Sequence, residues 1–427
     1  MEVVNPICCG IDVHETQLVA CLRVAHGRGK AETTTREFGT TVSELLSLQQ
    51  WLAEESCPIA VVESTGVYWK PVFHVLSSTV EVLVANAQHV RQRPGKKRDV
   101  ADAEWLAELL AHGLVVPSFI PPPEIRALRD LTRARVGLVQ SRSQTMNRVY
   151  KVLEDTNLKF QSVMSDLFGV SGRAMLDALV AGKRDPQQLA QMARGVLRRK
   201  LPQLELALQG QFTEHHAVLV KQSLELVDVL TRQIAEIDAR IELAMATMAR
   251  EVELLRSIPG IDHKAANTVL GEIGRDMSRF GSDKRLASWT KLSPGNNESA
   301  GKRRSGRTGR GNKYLKRVLV QCAWAARRTD TYLGRTFRRL EARIGGKKAA
   351  VAVAHKILVI IYHVLSNGEF YDESRYDHLT ERQEQRTKFR ALKVLEHLGY
   401  QVELTPRAAE LPEVTASPEA TASPGAT

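Results

Sequence analysis

Apolar positions from Pro6 to about Leu114 alternate between short strand-like runs and longer stretches with helical spacing. The strand-like runs are ICCGID, TQLVACLRV, CPIAVVEST and VEVLVAN, and the first two lie close enough in the sequence to form a β-hairpin. The helical stretches run from Val42 to Glu54, from Tyr68 to Leu76 and from Asp99 to His112. Strands that alternate with helices in this way predict an α/β domain.

A long basic helix is predicted after the triple proline at 121–123, because proline ends the preceding element and suits a first helical turn. Farther along, residues 168–255 have helical periodicity throughout. Their apolar positions recur with alternating spacings of 3 and 4 at Val227, Leu230, Ile234, Ile237, Ile241, Ala244 and Met248. This heptad seam fits either an intramolecular antiparallel pair with the basic helix or a dimerisation coil.

These patterns divide the chain into four segments. We expect an α/β domain with its trailing basic helix over 6–155, a helical or coiled-coil region over 156–254, and a mainly helical domain over 255–375. A C-terminal extension covers 376–427, and its low apolar content beyond about residue 405 predicts disorder. We expect no signal peptide, and we expect no membrane span because the most apolar late stretch is interrupted by His355, Lys356 and His363.

Charge is concentrated in one region. The chain carries 60 Lys and Arg against 48 Asp and Glu, a net charge of +12. Residues 301–348 alone contain 16 Lys or Arg and 2 acids, which is a larger excess than that of the whole chain. The sequence therefore predicts a single region that binds the phosphates of a polyanion.

Five cysteines, Cys8, Cys9, Cys21, Cys57 and Cys322, contain no CxxC pair, and four of them lie on apolar strand-like segments. Cysteines of this kind are typical of buried thiols in a reducing compartment, so we expect a cytoplasmic protein.

Four carboxylates are candidates for metal binding. Asp12 and Glu63 end apolar runs, so each is expected at a strand terminus of one sheet, where sites of α/β domains assemble. Asp99 and Asp102 begin a helix with a spacing that places both on one face, where like charges repel unless a cation lies between them. Hard oxygen ligands suit Mg²⁺ or Mn²⁺, which act in phosphodiester cleavage. Each acid alone would more commonly be a solvated or capping residue.

Two later segments are candidates for nucleic-acid contact. LLRSIPGIDHKAANTVLGEIG predicts two helices joined by a tight turn at Gly260, a helix-hairpin-helix pattern whose backbone amides can face a phosphate, or else a plain packing hairpin. The glycine-rich stretch that follows predicts a pliable loop with Ser299 at its entrance and Ser305 within it. Its cations are Lys302, Arg303, Arg304, Arg307, Arg310 and Lys313. They could hold phosphates or form a disordered arm.

The chain contains, in this order, the motifs GID, VVEST, DVADAEWLAELL, IPGI and PGNNESAGKRRSGRTGRGNKYLKR. As a set, these motifs resemble those of the bridge-RNA-guided transposases of bacterial insertion sequences, in the family numbered one hundred and ten. The resemblance extends from Ile7 to about Tyr371. It implies an RNase H-like (RuvC-like) DEDD domain at the N-terminus and a serine-bearing transposase domain at the C-terminus. Glu298 stands where many relatives have a small residue before the serine.

The resemblance further implies that Asp12, Glu63, Asp99 and Asp102 bind metal and that Ser299 forms a covalent phosphoserine link to DNA, with Ser305 as the second candidate. It implies a structured guide RNA as cofactor, and element-end and target DNA as substrates. It also implies a composite site in a homodimer or homotetramer, and a protein associated with the bacterial nucleoid.

Three other functions compete with this interpretation. A junction-resolvase-like nuclease would use the acids and water alone, with Ser299 structural. An actin-like ATPase or sugar kinase would need a glycine near Asp12, where Val13 and His14 stand instead. A non-catalytic RNA-binding protein would need only the basic loop.

Overall fold

The computed structural model describes residues 2–25, 31–64, 66–86, 99–293, 297–299, 302–305, 308–309 and 311–402, and at 297–299, 302–305, 377–384 and 387 it describes the backbone alone. The tail expected to be disordered from about 405 lies outside these ranges. Contacts divide the chain into two compact units, Met1–Ile237 and Asp238–Thr427.

The first unit contains a five-stranded mixed sheet. Its strands are β1 (Ile7–Val13), β2 (Gln17–Val24), β3 (Glu32–Gly39), β4 (Ile59–Glu63) and β5 (Glu81–Ala85), in the spatial order β3-β2-β1-β4-β5. The first three strands pair antiparallel, and β1, β4 and β5 pair parallel. This order and these directions fit the predicted RNase H-like domain, and they confirm the hairpin of β1 and β2.

Strand β3 was not predicted. Its sequence ETTTREFG is polar and largely exposed, since it pairs with β2 at the edge of the sheet. Three consecutive threonines were the available signal, because β-branched residues favour strands.

Helices cover both faces of the sheet. They are α1 (Val42–Glu54), α2 (Trp69–Leu76) and α3 (Asp99–Ala111), close to the predicted ranges. Side chains of β1 alternate between the faces. Cys9, Ile11 and Val13 share a buried cluster with residues of α1 and α2, whereas Cys8 shares a separate cluster with residues of α3.

A helical bundle completes the first unit. The long basic helix α4 (Pro123–Asp155) begins at a proline, as predicted. It is followed by α5 (Phe160–Val163), α6 (Val170–Val180), α7 (Pro186–Ala190), α8 (Leu201–Ala207) and α9 (Glu214–Met245), the last of which continues into the second unit.

Helices α4 and α9 run antiparallel. Val149 and Leu153 near the end of α4 share a buried cluster with Val220 and Leu224 near the start of α9. Farther back on α4, the guanidinium of Arg142 lies 3.4 Å from the hydroxyl of Thr231, which is farther along α9. The heptad positions Val227, Leu230, Ile234, Ile241 and Met248 are buried within one chain, and Ala244 is exposed.

The second unit is mostly helical. Its elements are α10 (Ala249–Arg256), α11 (His263–Ile273), α12 (Asp283–Thr290), β6 (Asn297–Ser299), β7 (Lys302–Ser305), α13 (Lys313–Ala326), α14 (Tyr332–Ile344), α15 (Gly346–Asn367) and α16 (Asp377–His397). Helix α15 packs against α10, α12, α13 and α14. Its buried side includes Val353, Ile357 and Ile361.

Among the described residues, α15 is the one helix long and apolar enough to cross a membrane. Half of its most apolar window is buried inside the domain, as in the central helix of a folded unit.

Candidate active site

Asp12 lies near the end of β1 on the face of the sheet that α3 covers. The alternation of side chains along β1 places Gly10 and Asp12 opposite the α1 and α2 face. Asp12 is only 9% exposed, which is unusual for a carboxylate unless its charge has partners.

Glu63 ends the adjacent strand. Because β1 and β4 are parallel with Ile11 opposite Val62, the next residues, Asp12 and Glu63, lie at neighbouring carboxyl ends of the sheet. Val62 faces the α1 and α2 cluster, so Glu63 points to the same side as Asp12.

Helix α3 brings the other two acids to this edge, since Asp99 and Asp102 form its first turn. The helix crosses β1 in close contact because Gly10 has no side chain: a Cβ there would stand 2.2 Å from the carbonyl oxygen of Ala103 and 2.4 Å from the amide nitrogen of Ala107. Both alanines are fully buried. Small residues on both elements therefore fix the position of the first turn of α3.

His14 connects the two groups of acids. Its Nε2 lies 3.4 Å from Oδ2 of Asp12 and 3.4 Å from Oδ1 of Asp99. Half of the His14 side chain is exposed, so it stands at the entrance of the site. An imidazolium at this point would neutralise part of the charge of both carboxylates.

The electrostatics place all four acids in one neighbourhood. Burial raises the pKa of the Asp12 carboxyl above its usual range, His14 opposes that rise, and the carboxylates of Asp102, Asp99 and Glu63 add to it. Coulomb energy falls with distance, so each of these groups must lie near Asp12 to act on it. A cluster of carboxylates of this kind favours the binding of a cation.

The donor set fits a divalent metal ion. One donor atom each from Asp12, His14 and Asp99 lies within 4.8 Å of the other two. Glu63 and Asp102 are not part of that group but act on Asp12 through their charge. Carboxylate oxygens are the ligands that Mg²⁺ and Mn²⁺ prefer.

The segment with the candidate serine forms a short hairpin, whereas the glycines had predicted a pliable loop. Strands β6 and β7 pair antiparallel with Ser299 opposite Lys302, Glu298 opposite Arg303 and Asn297 opposite Ser305, and the register shifts between Asn297 and Glu298. The two candidate serines therefore occupy opposite ends of the hairpin. Arg307 and Arg310 lie outside the described residues, and of Lys302, Arg303 and Arg304 only the backbone is described.

The stretch after the hairpin is anchored to α12 and α13. A Cβ at Gly311 would stand 2.3 Å from the carbonyl oxygen of Thr290. The Asn312 side chain accepts hydrogen bonds from the backbone N–H groups of Tyr314 and Leu315 and so caps α13. Lys313 begins that helix, with its ammonium 5.1 Å from the ring centroid of Tyr314.

The predicted helical hairpin is present as α10 and α11, joined by the turn around Gly260. Gly260 has φ +93°, and a Cβ would stand 2.3 Å from the carbonyl oxygen of Cys322 on α13. This glycine therefore has a packing role that the sequence did not reveal. The amide of Ala265 donates to the Asp262 side chain, which caps α11.

Sequence reasoning missed Gly10 and His14 as parts of the site. The spacing of Gly10, Asp12 and His14 was the available signal, because alternate residues of a strand share a face. The five cysteines are buried and free, as predicted, and burial raises the pKa of Cys57 to about 11.

Comparisons with known proteins agree with this arrangement. A DEDD transposase model of the IS110 type matches residues 9–158, and a transposase model of the IS116/IS110/IS902 family matches residues 252–339. The first match spans all four acids, and the second spans the hairpin with Ser299.

The chain is similar to a candidate transposase, y4qE, of Sinorhizobium fredii, at 28% identity over 67% of this chain and 63% of that protein. It is also similar to a candidate transposase for the IS117 mini-circle of Streptomyces coelicolor, at 26% identity over 86% of this chain and 95% of that protein. The chain thus spans less than two thirds of the first relative and nearly all of the second.

Among solved structures, RuvC of Thermus thermophilus matches with 13% identity and a TM-score of 0.21, over 26% of this chain and 99% of that protein. The two family models together cover more than half of the chain, and their order follows the two units described above. The chain therefore carries, in sequence order, the two transposase domains of the IS110 family.

Proposed function

We propose that this chain is a DNA transposase that cuts and rejoins DNA strands of an insertion sequence. The proposal rests on one observation: Asp12 and Asp99 lie close together at the edge of the sheet. Asp12 comes from a strand end and Asp99 from a helix start, 87 residues apart in the sequence. An acidic cluster at the edge of an RNase H-like sheet is suited to phosphodiester chemistry with a divalent cation.

Asp12, Glu63, Asp99 and Asp102 would hold Mg²⁺ or Mn²⁺. When bound, the ion stabilises negative charge on a phosphate oxygen and favours an ionised oxygen nucleophile. Asp12 has to be ionised to act as a ligand, and burial raises its pKa, so we expect protonation of Asp12 to reduce activity at low pH. His14, between Asp12 and Asp99, offsets part of that rise.

Ser299 is the proposed nucleophile. Its hydroxyl oxygen bonds to the scissile phosphorus, the bond to one deoxyribose oxygen breaks, and that oxygen takes up a proton. A deoxyribose hydroxyl of another strand then attacks the phosphoserine and releases Ser299. Each step replaces one phosphate ester by another, so no external energy source is needed. Lys302, paired with Ser299 across the hairpin, and the arginines that follow would hold the phosphate.

We propose that a structured guide RNA selects the target DNA. The basic region 301–348 supplies charge for binding nucleic-acid backbones, and base pairing by the RNA would supply the sequence specificity. We further propose that a homodimer or homotetramer combines the acids of one chain with the serine of another.

The test uses the full chain with Mg²⁺, its co-purified RNA and element-end DNA. We expect a protease-sensitive protein–DNA adduct whose phosphorylated peptide contains Ser299. Ser299→Ala should abolish the adduct and strand transfer, and Ser305→Ala should preserve both. An adduct mapped to Ser305 would overturn the choice of nucleophile. RNA dependence is checked by ribonuclease treatment before the DNA is added.

A second candidate is a metal-dependent nuclease resembling a junction resolvase. It is favoured by the position of all four acids within the first unit, since a metal ion held by such acids can activate water without a serine. DNA cutting that survives Ser299→Ala, with no covalent adduct in the parent protein, would select this function. Loss of cutting in Asp99→Asn with retained RNA binding would exclude a purely RNA-binding protein.

A further inference from the structure

A cavity of about 420 Å³ lies beside the strand end that carries Glu63. Its lining begins at Ser64, the next residue, and continues over α2, the segment 118–121 and the first turns of α4. This segment follows the edge of the sheet, since the amide of Ser118 donates to the carbonyl of Val84 at 2.7 Å and Pro117 forms an isolated bridge with Ala85. The cavity therefore adjoins the acidic site without being part of it.

The lining of the cavity is strongly cationic. Lys70, Arg126, Arg129 and Arg133 border it, and Asp130 is the single carboxylate among the described lining residues. Together these residues give the cavity a positive electrostatic potential, which attracts anions.

His74, on the same lining, lies close to two of these cations. Burial lowers the pKa of its imidazole, and the charges of Arg126 and Lys70 lower it further. The cavity thus disfavours an additional positive charge.

Arg126, on the same lining, has a hydrogen-bond donor without an acceptor among the described residues. Its Nη1 is buried and has no hydrogen-bond partner among the described residues, while the guanidinium carbon lies 5.6 Å from the ring centroid of Phe73. Stacking on the ring fixes the guanidinium and leaves an N–H group without an acceptor. A buried charged donor in this state is unfavourable, and a phosphate oxygen is the acceptor that a guanidinium binds best.

Two aromatic side chains give the cavity an apolar wall. Trp69 lies edge to face with Phe73 at a centroid distance of 6.0 Å, and the Arg129 guanidinium lies 5.7 Å from the ring centroid of Phe119. Trp69 and Phe119 both line the cavity. Cations beside aromatic rings are the combination that binds single-stranded nucleic acids, with bases stacked on the rings and phosphates on the cations.

We propose that this cavity binds one nucleotide of a nucleic-acid strand, with its phosphate on Arg126 and its base against Trp69 or Phe119, next to the phosphate that the acidic site acts on. The inference rests on the proposed action of this chain on nucleic acid and adds a specific subsite to it. The cavity is larger than a free phosphate needs, and its aromatic wall would have no function toward an inorganic anion.

The test is photocrosslinking of the full chain, without divalent metal, to short single-stranded oligonucleotides that carry one 5-iodouracil. A DNA arm and an RNA arm of the same sequence separate the two sources of the strand. We expect crosslinks in the peptides that contain Trp69 or Phe119, and at least a fivefold lower yield in Arg126→Gln. The slope of log K against log salt should fall by about 0.7, the loss of one phosphate contact on a single strand.

Arg148→Gln is the matched control. It removes the same charge from an exposed position of the same helix, about 33 Å along its axis from Arg126 at 1.5 Å per residue. We expect its crosslinks at Trp69 and Phe119 to remain. Equal losses in the two variants, or crosslinks absent from both peptides in the parent, would overturn the proposal.

The readout needs no cleavage, so the proposed function can fail separately. The crosslinks should persist in Asp12→Asn, in which cutting is lost. A parent protein that crosslinks at the cavity but never cuts DNA would contradict the proposed function alone. A parent that cuts DNA and crosslinks equally in Arg126→Gln would contradict the subsite alone.

Discussion

Gly10 of β1 lies against the backbone of Ala103 on α3, so closely that a Cβ on Gly10 would stand 2.2 Å from the Ala103 carbonyl oxygen. This contact sets the distance between the strand that carries Asp12 and the helix that begins with Asp99 and Asp102. The geometry of the acidic site therefore depends on the absence of a side chain two residues before Asp12.

Gly10→Ala tests this relationship. The added methyl group meets main-chain atoms that cannot move without moving α3, so we expect a loss of about 1–3 kcal/mol in the free energy of unfolding. Displacement of α3 should also reduce DNA cleavage by about 100-fold, because small misplacements of reacting groups cost this much. Chemical denaturation and single-turnover cleavage measure the two effects.

Gly137→Ala is the control for that substitution. Gly137 lies inside α4, and a Cβ there would have no neighbour within 4 Å. Alanine is the better helix former, so the unfolding free energy should rise by up to about 1 kcal/mol while cleavage stays unchanged. Similar losses in the two variants would show that the contact with α3 is not what Gly10 provides.

Asp12→Asn should abolish cleavage and stabilise the fold at neutral pH. The folded-state pKa of Asp12 is raised, so the stability associated with its protonated form is present at low pH and is lost as the pH rises through that pKa. Asparagine removes the buried charge and its repulsion with the other acids, and we expect a gain of about 1 kcal/mol. Thermal unfolding in a chelator at neutral pH measures it. The gain in stability should shrink below pH ~4, where the parent carboxyl is also neutral in the unfolded chain. An Asp12→Asn variant that is less stable than the parent at neutral pH would contradict the argument.

The sequence was sufficient to predict the elements that build the acidic site. Apolar runs ending in Asp12 and Glu63 identified two strands, and the helical spacing after Asp99 identified α3, because each signal is local in the chain. Their meeting at one edge followed from the general rule for strand ends in α/β sheets.

The remaining features depend on contacts between distant segments. The packing roles of Gly10 and Gly260 are set by Ala103 and Cys322, which no local pattern connects to them. Strand β3 is polar because it lies at a sheet edge, so it lacks the apolar alternation that marks buried strands. The cavity around Arg126 likewise combines α2 and α4, whose proximity appears only in the fold.

His14→Ala should move the acidic limb of the pH–cleavage profile to higher pH. Burial and the carboxylates of Asp102, Asp99 and Glu63 raise the pKa of Asp12, whereas His14 lowers it. Without the imidazole the pKa of Asp12 rises further, so ionised Asp12 is reached only at higher pH. Cleavage rates measured as a function of pH give the shift, and His14→Lys, which places a positive charge at this position, should restore part of it. An unchanged or lowered limb in His14→Ala would mean that His14 does not act on Asp12.

Gly260→Ala should destabilise the second unit more than Gly345→Ala does. Both glycines have positive φ, +93° and +81°, so both substitutions strain the backbone. Only Gly260 also lies against another element: its Cβ would meet the Cys322 carbonyl oxygen at 2.3 Å, whereas nothing lies within 4 Å of a Cβ at Gly345. We expect Gly345→Ala to cost about 1 kcal/mol and Gly260→Ala about 2 kcal/mol more, because α13 has to move. Denaturant unfolding of the full chain measures both free-energy losses. DNA binding is then measured under conditions in which both variants are folded. This second measurement distinguishes the packing role of Gly260 from a phosphate contact at the α10–α11 turn. Equal unfolding costs, with DNA binding lost in Gly260→Ala alone, would assign Gly260 to nucleic-acid contact rather than to the packing of α13.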